Sequence, residues 1–342
     1  MFAYPVLDIV SNTPKVSIII PNFNGMEYLH TCLSSLQKQT FKDFEVIVVD
    51  NNSHDSSEEF IKKNYPAARV IKNTRNYGYS TAVNQGIKLS NAEFIATLNN
   101  DASVAPQWLD AIIRALKNNP DVNFCASKIL NYSSRNIIES AGDEIMNNGF
   151  GRKRGYGEQD KGQFNYPEKV VSACGAAALY RRKMLDDIGL FDEDFFAYLE
   201  DVDLSLRAHL KGYQCLFVPD AVVYHREFGT TKHDKYLPII LSLRNSIMLV
   251  LKNFPMSLLI KKGMILNMLF AYSRVVLFLI IKGRSYDVLK SFQYIAKNFS
   301  TLLRKRKKNM KNCIVSYNYL NSIIAREEFT YKKIKTYLGK LL

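Results

Sequence analysis

Acid is scarce where this chain is most basic, cysteine is sparse throughout, and no uninterrupted apolar run reaches the roughly 20 residues needed to cross a bilayer. Each shortage excludes something. Residues 230–342 hold 22 Lys/Arg but 4 Asp/Glu, a net of +18, whereas residues 1–229 hold 24 against 28, a net of −4. A mildly acidic body therefore carries a basic tail, whose expected partner is an anionic surface. The five cysteines, Cys32, Cys125, Cys174, Cys215 and Cys313, are scattered in no metal-type spacing. That argues against a disulfide framework or a zinc site and for reduced, buried thiols. The N-terminus has neither a basic n-region nor an apolar h-region, so no signal peptide is expected and the body is expected in the cytoplasm. No zinc, RRM-like or KH-like pattern accompanies the basic tail, so nucleic acid is not an expected partner.

Against these shortages stands a regular alternation. Val16–Ile20 is a short apolar run stopped by Pro21 and followed by Asn22 and the Asn24-Gly25 turn signal. Helical spacing from Glu27 to Gln39 precedes a second buried strand, Phe44–Val49, which ends at Asp50. A helix over Asp55–Tyr65, a strand at Ala68–Lys72, a helix over Ser80–Leu89, a strand at Glu93–Leu98 and a helix over Pro106–Lys117 follow. This order predicts parallel strands with right-handed crossovers, hence a doubly wound α/β sheet. Residues 131–169, rich in Gly, Asn and charge, read as a mobile loop or short hairpins covering a site. A strand through Gly175–Ala178, a helix over Asp201–Leu210 and strands at Cys215–Val218 and Val222–His225 complete a first domain, residues 1–232. Residues 233–342 form a second, helical and basic region. In it Met264–Ile281 is interrupted by Arg274 and flanked by Lys261, Lys262, Lys282 and Arg284, which favours an interfacial amphipathic helix over a span. The run Arg304–Lys308 adds the polybasic character that anionic lipid attracts. An ordinary helical appendage with a solvated basic face is the plainer alternative.

Open α/β sheets bind ligands at the carboxyl ends of their strands. Asp101 stands there, three residues after the Phe94–Leu98 run, beside Asn99 and Asn100. Mg2+ and Mn2+ favour oxygen ligands and bridge protein carboxylates to substrate phosphates, which suits Asp101; an Asx cap on the next helix is the competing role. Asp50 closes its own strand, placed to accept a hydrogen bond from a base or ribose, with Asn51, Asn52 and Ser53 turning back toward the ligand and Asp55 capping the next helix. Arg75 is placed to meet a diphosphate, Gly78 lets backbone approach it, and a helix beginning at Gly78–Ser80 would add amide donors. Asn84 is either a substrate contact or a buried amide tying helix to loop. Glu200 and Asp201, adjacent at a helix start among aromatics, suit one poised general base, while Asp203 and Arg207 are spaced to pair along the helix. His225, at a strand end, is structural or completes a metal shell.

Taken together, Val16-Ser17-Ile18-Ile19-Ile20-Pro21-Asn22-Phe23-Asn24-Gly25, Asp50-Asn51-Asn52-Ser53, Asn76-Tyr77-Gly78, Leu98-Asn99-Asn100-Asp101, Phe195-Phe196 through Asp203, and Tyr224-His225 resemble family 2 inverting glycosyltransferases of the GT-A fold, within them the rhamnosyltransferase-like branch. The resemblance covers roughly residues 14–232. It implies that Asp50 contacts the nucleotide base, Asp101 binds the donor's Mg2+ or Mn2+, His225 is a further metal or diphosphate ligand, Asp201 with Glu200 beside it is the acceptor base, and Gly175-Ala176 lie on the acceptor side. Pro21, Asn22, Asn24, Asn52, Arg75, Asn76, Gly78, Asn84, Asn99 and Asn100 fall to nucleotide-sugar binding. Asn99 departs from the pattern, standing where many relatives carry the first acid of an Asp-x-Asp element. The Gln-x-x-Arg-Trp element of processive synthases is missing, Trp108 being the sole tryptophan, so one or a few sugars per encounter are expected.

The implied reaction moves a sugar from a nucleoside-diphosphate donor, dTDP-L-rhamnose first and UDP-hexoses next. Its acceptor would be a hydroxyl of a polyprenyl-diphosphate-linked or saccharide molecule in polysaccharide or O-antigen assembly, at the inner face of the plasma membrane. Two other readings compete. One is a nucleotide-sugar-binding membrane scaffold without turnover. The other is a nucleotidyltransferase, which would want a Gly-rich, Lys-containing loop where Asn22-Phe23-Asn24-Gly25 stands. Nothing in the pattern specifies an oligomeric state.

Overall fold

A computed structural model describes residues 13–227, 229, 234–261 and 264–325. The N-terminal segment read for a signal peptide, Lys262 and the basic residues beyond 325 lie outside that range. The expected alternation is present as β1 (Val16–Asn22), α1 (Met26–Gln37), β2 (Phe44–Asp50), α2 (Ser57–Asn64), β3 (Arg69–Lys72), α3 (Tyr79–Leu89) and β4 (Phe94–Leu98). β1 pairs in parallel with β2 and β4, and β2 with β3. Burial on both faces explains the unbroken apolar runs: Val16, Ile18, Ile19, Ile20 and Ile47–Val49 have no exposed surface. One sheet face is covered by α1 and α4 (Trp108–Asn118), through Leu29, Leu33, Leu36, Trp108, Ile112 and Leu116.

Residues 131–169 take the hairpin alternative, and two parts differ from the sequence expectation. After the short β5 (Ala102–Val104) and β6 (Val122–Asn131), residues 131–169 form short hairpins, β7 (Ile138–Ser140), β8 (Asp143–Met146) and β9 (Gly151–Lys153), with Ile138, Glu139, Ser140, Asp143 and Ile145 buried. β10 (Glu168–Val170) then leads to β11 (Ala177–Arg181), which is antiparallel to both β4 and β6 in the middle of the sheet. The reason is positional. β6 ends at the carboxyl edge, the hairpins stay there, and the next central strand starts from that edge and must run the other way. Finally, the two short strands expected around residue 220 are one, β12 (Gln214–His225), with a register shift between Val218 and Val222. Pro219 lies in that shift and has no N–H for the ladder. The strand order is β10-β12-β6-β11-β4-β1-β2-β3, a mixed but mostly parallel sheet whose second face is covered by α3, α5 (Arg182–Ile188) and α6 (Glu200–Leu210).

The helical region comprises α7 (Leu237–Asn253), α8 (Met256–Lys261), α9 (Met264–Ile281), α10 (Ser285–Lys297), α11 (Phe299–Lys311) and α12 (Tyr317–Ile323), then β13 (Ile324–Ala325). It shares a core with the sheet region: Met248, Leu249 and Phe254 pack with Ile145, Phe195, Val202 and Leu206. β13 pairs in parallel with β8, Ile324 opposite Ile145. α9 packs through Tyr272, Val275, Val276 and Leu279 and leaves Leu266, Leu269 and Leu277 exposed. By length and composition it suffices to cross a membrane, closer to that limit than the interrupted sequence suggested, and only 11% of it is buried. All five cysteines are free, and four are buried.

Candidate active site

The carboxyl edge gathers the polar strand ends into one linked row. Asn22 Nδ2 donates to Asp50 Oδ1 at 2.8 Å and its Oδ1 accepts from Asn100 Nδ2 at 2.7 Å. Gly25 is required beside them, because a Cβ there would lie 1.9 Å from Asn100 Nδ2. Asp50 accepts from Ser53 Oγ and Ser53 N at 2.5 and 2.9 Å and has no exposed surface. The carboxylate read as a nucleotide contact is thus closed off here, holding the Asn51–Ser53 turn. That turn is stitched to Asn24, whose N–H donates to Ser53 Oγ and whose side chain accepts from His54 N. Asn52 has φ of +65° and reaches His54 Nε2 at 3.4 Å, on the exposed rim. Ser56, not Asp55, holds the N-cap position of α2, but Asp55 accepts from Ser57 N and from Met26 N, the first helical amides of α2 and α1.

The loop before α3 is held from below. Asn51 Nδ2 donates to Gly78 O, and Asn73 pairs with both Asn51 and Gln85. Arg75 is exposed with its guanidinium over the Tyr77 ring. Two of the expected amide donors at the start of α3 are committed elsewhere, since Gly78 N donates to Asn76 Oδ1 and Ser80 N to Phe196 O. Gly78, at φ +86°, makes room for Phe196, whose carbonyl oxygen would lie 2.5 Å from a Cβ. Of the two roles left open for Asn84, the structure has the tie: its amide donates to Phe191 O and Glu193 Oε1 and accepts from Phe191 N.

Asp101 and His225 meet because β5, which Asp101 precedes, pairs with the end of β12, setting His225 opposite Ala102. His225 Nε2 lies 3.1 Å from Asp101 Oδ1 and 3.2 Å from Asn99 Nδ2, while Nδ1 faces Glu139 Oε1 at 2.8 Å. Burial opposes the imidazolium, but Asp101 and Glu139 outweigh it and raise the His225 pKa to about 10. Glu139 is itself opposed by burial yet lowered to about 2, through His225 and Lys153. The corner fits a divalent cation: Asp101 Oδ1 is a buried carboxylate oxygen facing the His225 ring, and that ring, which would give up its Nε2 proton to ligate, is oriented by a carboxylate on its far nitrogen, as metal-ligating histidines are. Asp101 and His225 would hold the ion. Glu139 was missed in the sequence because it sits in the segment with no periodicity.

Across the edge stand the acids. Gly175 N donates to Asp201 Oδ2 at 2.6 Å, Val202 N to Asp201 Oδ1 at 2.8 Å, and Tyr79 Oη to Gly175 O at 2.6 Å. Ala176 O accepts from Asn99 N, tying this side to the strand bearing Asp101. Burial raises the Asp201 pKa, offset in part by those two amides, and burial and Asp201 raise Glu200 well above the usual range. Glu200 Oε2 is buried without a partner. Asp143 and Cys174, both unforeseen, bring a carboxylate oxygen and a sulfur within 4.8 Å of each other and of an Asp201 oxygen. Burial, then Asp201, pushes Asp143 up to about 7. Asp203 pairs with Arg207 at 2.9 Å, as spaced, but also with Lys252 and Asn253 of α7.

This sheet, with a carboxylate–imidazole corner and an acid pair at its carboxyl edge, is the GT-A architecture of glycosyltransferases. Residues 17–189 match the family model Glycosyl transferase family 2, and the chain belongs to that family. It is similar, at 31% identity over 68% of its length, to the uncharacterised protein y4gI of Sinorhizobium fredii, and at 28% over 66% to the O-antigen biosynthesis protein RfbC of Myxococcus xanthus. It spans only 27% and 18% of those proteins' lengths. It is also 25% identical, over 65% of this chain and 79% of the relative, to the N-acetylglucosaminyl-diphospho-decaprenol L-rhamnosyltransferase of Mycobacterium tuberculosis. Among solved structures, S. aureus TarS 1-349 superposes with TM-score 0.54 at 20% identity, covering 87% of this chain and 88% of that one. The mannosyltransferase PcManGT from Pyrobaculum calidifontis, solved with GDP-Man and Mn2+, gives 0.51 at 16%, covering 94% and 86%.

Proposed function

We propose that this protein transfers a sugar from a nucleoside-diphosphate donor to an acceptor hydroxyl with inversion, in cell-surface polysaccharide assembly. The observation that carries this is the meeting, at one sheet edge, of a raised-pKa carboxylate, Asp201, with a metal-fitting corner, Asp101 and His225, joined through the Asn99–Ala176 hydrogen bond. Asp201 takes the proton of the acceptor hydroxyl as that oxygen bonds to the anomeric carbon. The bond from that carbon to the diphosphate breaks on the opposite face, and the leaving diphosphate keeps the electron pair. Burial suits Asp201 to the task by raising its pKa, since a carboxylate takes a proton more readily as its pKa rises, and general-base assistance contributes about 10²–10⁴-fold. Held by Asp101 and His225, Mg2+ or Mn2+ would neutralise charge on the departing diphosphate.

The donor proposed first is dTDP-L-rhamnose, then UDP-hexoses; the acceptor is polyprenyl-diphosphate-linked or a saccharide. The mycobacterial relative's name supports both choices. The protein is proposed to work in the cytoplasm, attached peripherally to the inner face of the plasma membrane through α9. Exposed Leu266, Leu269 and Leu277 on that helix, with the basic residues around it, support this. A thermal-shift panel of nucleotide-sugars with and without Mn2+ tests the donor site, since ligand stabilisation grows with concentration over Kd. Stabilisation by a sugar nucleotide and release of free nucleoside diphosphate are expected; no stabilisation by any, or pyrophosphate as product, would overturn the reading. Replacing Leu266 and Leu269 with Glu should abolish co-sedimentation with phosphatidylglycerol vesicles, and unchanged sedimentation would refute the membrane face.

A further inference from the structure

The segment that delivers Glu200 and Asp201 is strained and is held from outside the sheet. Phe196, Tyr198 and Leu199 have φ of +64°, +69° and +65°, positive values that residues with these side chains rarely adopt, Phe196 in a tight turn closed by Ala197 N donating to Phe195 O. Such a conformation persists only where neighbours over-determine it. The neighbour here is α7. Asn245, with no exposed surface, sets its Nδ2 at 3.0, 2.8 and 2.7 Å from the carbonyl oxygens of Phe195, Ala197 and Tyr198. Its own oxygen accepts from Arg244 Nε at 2.9 Å, which orients the amide, and Arg244 Nη2 donates to Phe195 O at 2.7 Å. Three carbonyls converging on one nitrogen can be served only by a donor, so a carboxylate at 245 would repel all three.

We propose that Asn245 is a positioning residue: it fixes the positive-φ backbone of 196–199 so that α6 begins with Asp201 turned toward Gly175. It touches no reacting atom, and the proposal rests on the glycosyl-transfer reading above. Its effect is local for two reasons. Lys252 and Lys305 keep the segment docked through Asp192, Asp194 and Asp203. The loop before α3 has ties of its own through Asn51 and Asn76, beside the single bond from Ser80 N to Phe196 O.

The test uses the full chain with Asn245→Ala and Asn245→Ser, the serine retaining one O–H donor. With the sugar nucleotide that turns over fastest, the alanine variant is expected to lose about tenfold or more in kcat through misplacement of the base, with donor KM within about twofold, and serine to recover part of the loss. Hydrogen exchange read by mass spectrometry should quicken at amides 195–203 in the alanine variant and stay unchanged in β1 and β4. Unchanged exchange at 195–203 in both variants, or a raised KM with unchanged kcat, would overturn the proposal. If the alanine variant fails to fold, the same two readouts on the serine variant decide. Exchange needs no substrate: quickened exchange in a protein whose unsubstituted form turns over no donor would leave the clamp standing but overturn the reaction and the positioning role with it.

Discussion

The sheet and the helices that follow it use charge in opposite ways. At the sheet's carboxyl edge acids gather, several of them buried; in the helices bases gather, and the innermost reach back to those acids. Lys252 has no exposed surface and lies between Asp192 and Asp203, while Lys305 bridges Asp192 and Asp194 at 2.6 Å each. Burial works against the Asp192 carboxylate, yet Lys252 and Lys305 hold it well below the usual range. The basic tail is thus two populations. One faces outward, at Lys282, Lys290, Lys297, Lys307 and Lys308; the other compensates the acids of residues 192–203 from within. A net charge read along the chain merges the two, and their separation becomes visible only when α7 and α11 are seen against residues 192–203.

That contrast can be broken from either side. The largest effect is expected on the sheet side, where Asp201→Asn should cut transfer about 10²–10⁴-fold while Mn2+-dependent nucleotide binding, read by calorimetry, persists. Near-unsubstituted turnover would remove Asp201 from the chemistry. On the helical side, Lys252→Met should reduce unfolding free energy in urea by about 3 kcal/mol, because one partner of a buried ion network is deleted. A loss below about 0.5 kcal/mol, the range of ordinary surface substitutions, would mean that the helices brace nothing. Glu139→Gln should weaken Mn2+ affinity about 10- to 100-fold by releasing the orientation of His225, as read by Mn2+ titration.

The smallest effect is a pH slope at the junction. Burial lowers His209 to about 4, with its ring against Val171 O and Tyr319 Oη. The unfolded chain protonates this residue below about 6.5 and the folded one only near 4. Its contribution is therefore full above that range and is lost as pH falls through it, by up to about 1.4 kcal/mol per unit. Unfolding measured from pH 7 to 4 should show a shallower slope in His209→Gln than in the unsubstituted protein; equal slopes would dismiss it.

Most of the sheet was legible because buried parallel strands must be apolar on both faces, and β1, β2 and β4 are. Strand ends were legible too, which is why Asp101 and His225 were singled out, whereas Asp201 was read from a helix start. Less was readable where side-chain period carries no signal. β11 runs antiparallel because of where the chain re-enters the sheet, which no local pattern records. Glu139, Asp143 and Lys153 sit on hairpins among glycines, and Asn245 looks like any helical amide until its three carbonyl partners are known. Asp50 was placed correctly at its strand end, but its closure by Asn22 and Ser53 depends on two neighbouring loops.

The pairing of β13 with β8 has a consequence for the order of events in synthesis. β8 carries Asp143, yet its third-strand partner is nearly 180 residues downstream, at Ile324 and Ala325. A ribosome adding about 5–20 residues per second makes the hairpin well before it makes that strand. Contacts of such separation form late, after the loop between them has closed. The outer edge of β8 is therefore covered only when the helical region has been made and folded back, so a nascent chain holding the whole main sheet still carries this small sheet with one strand missing.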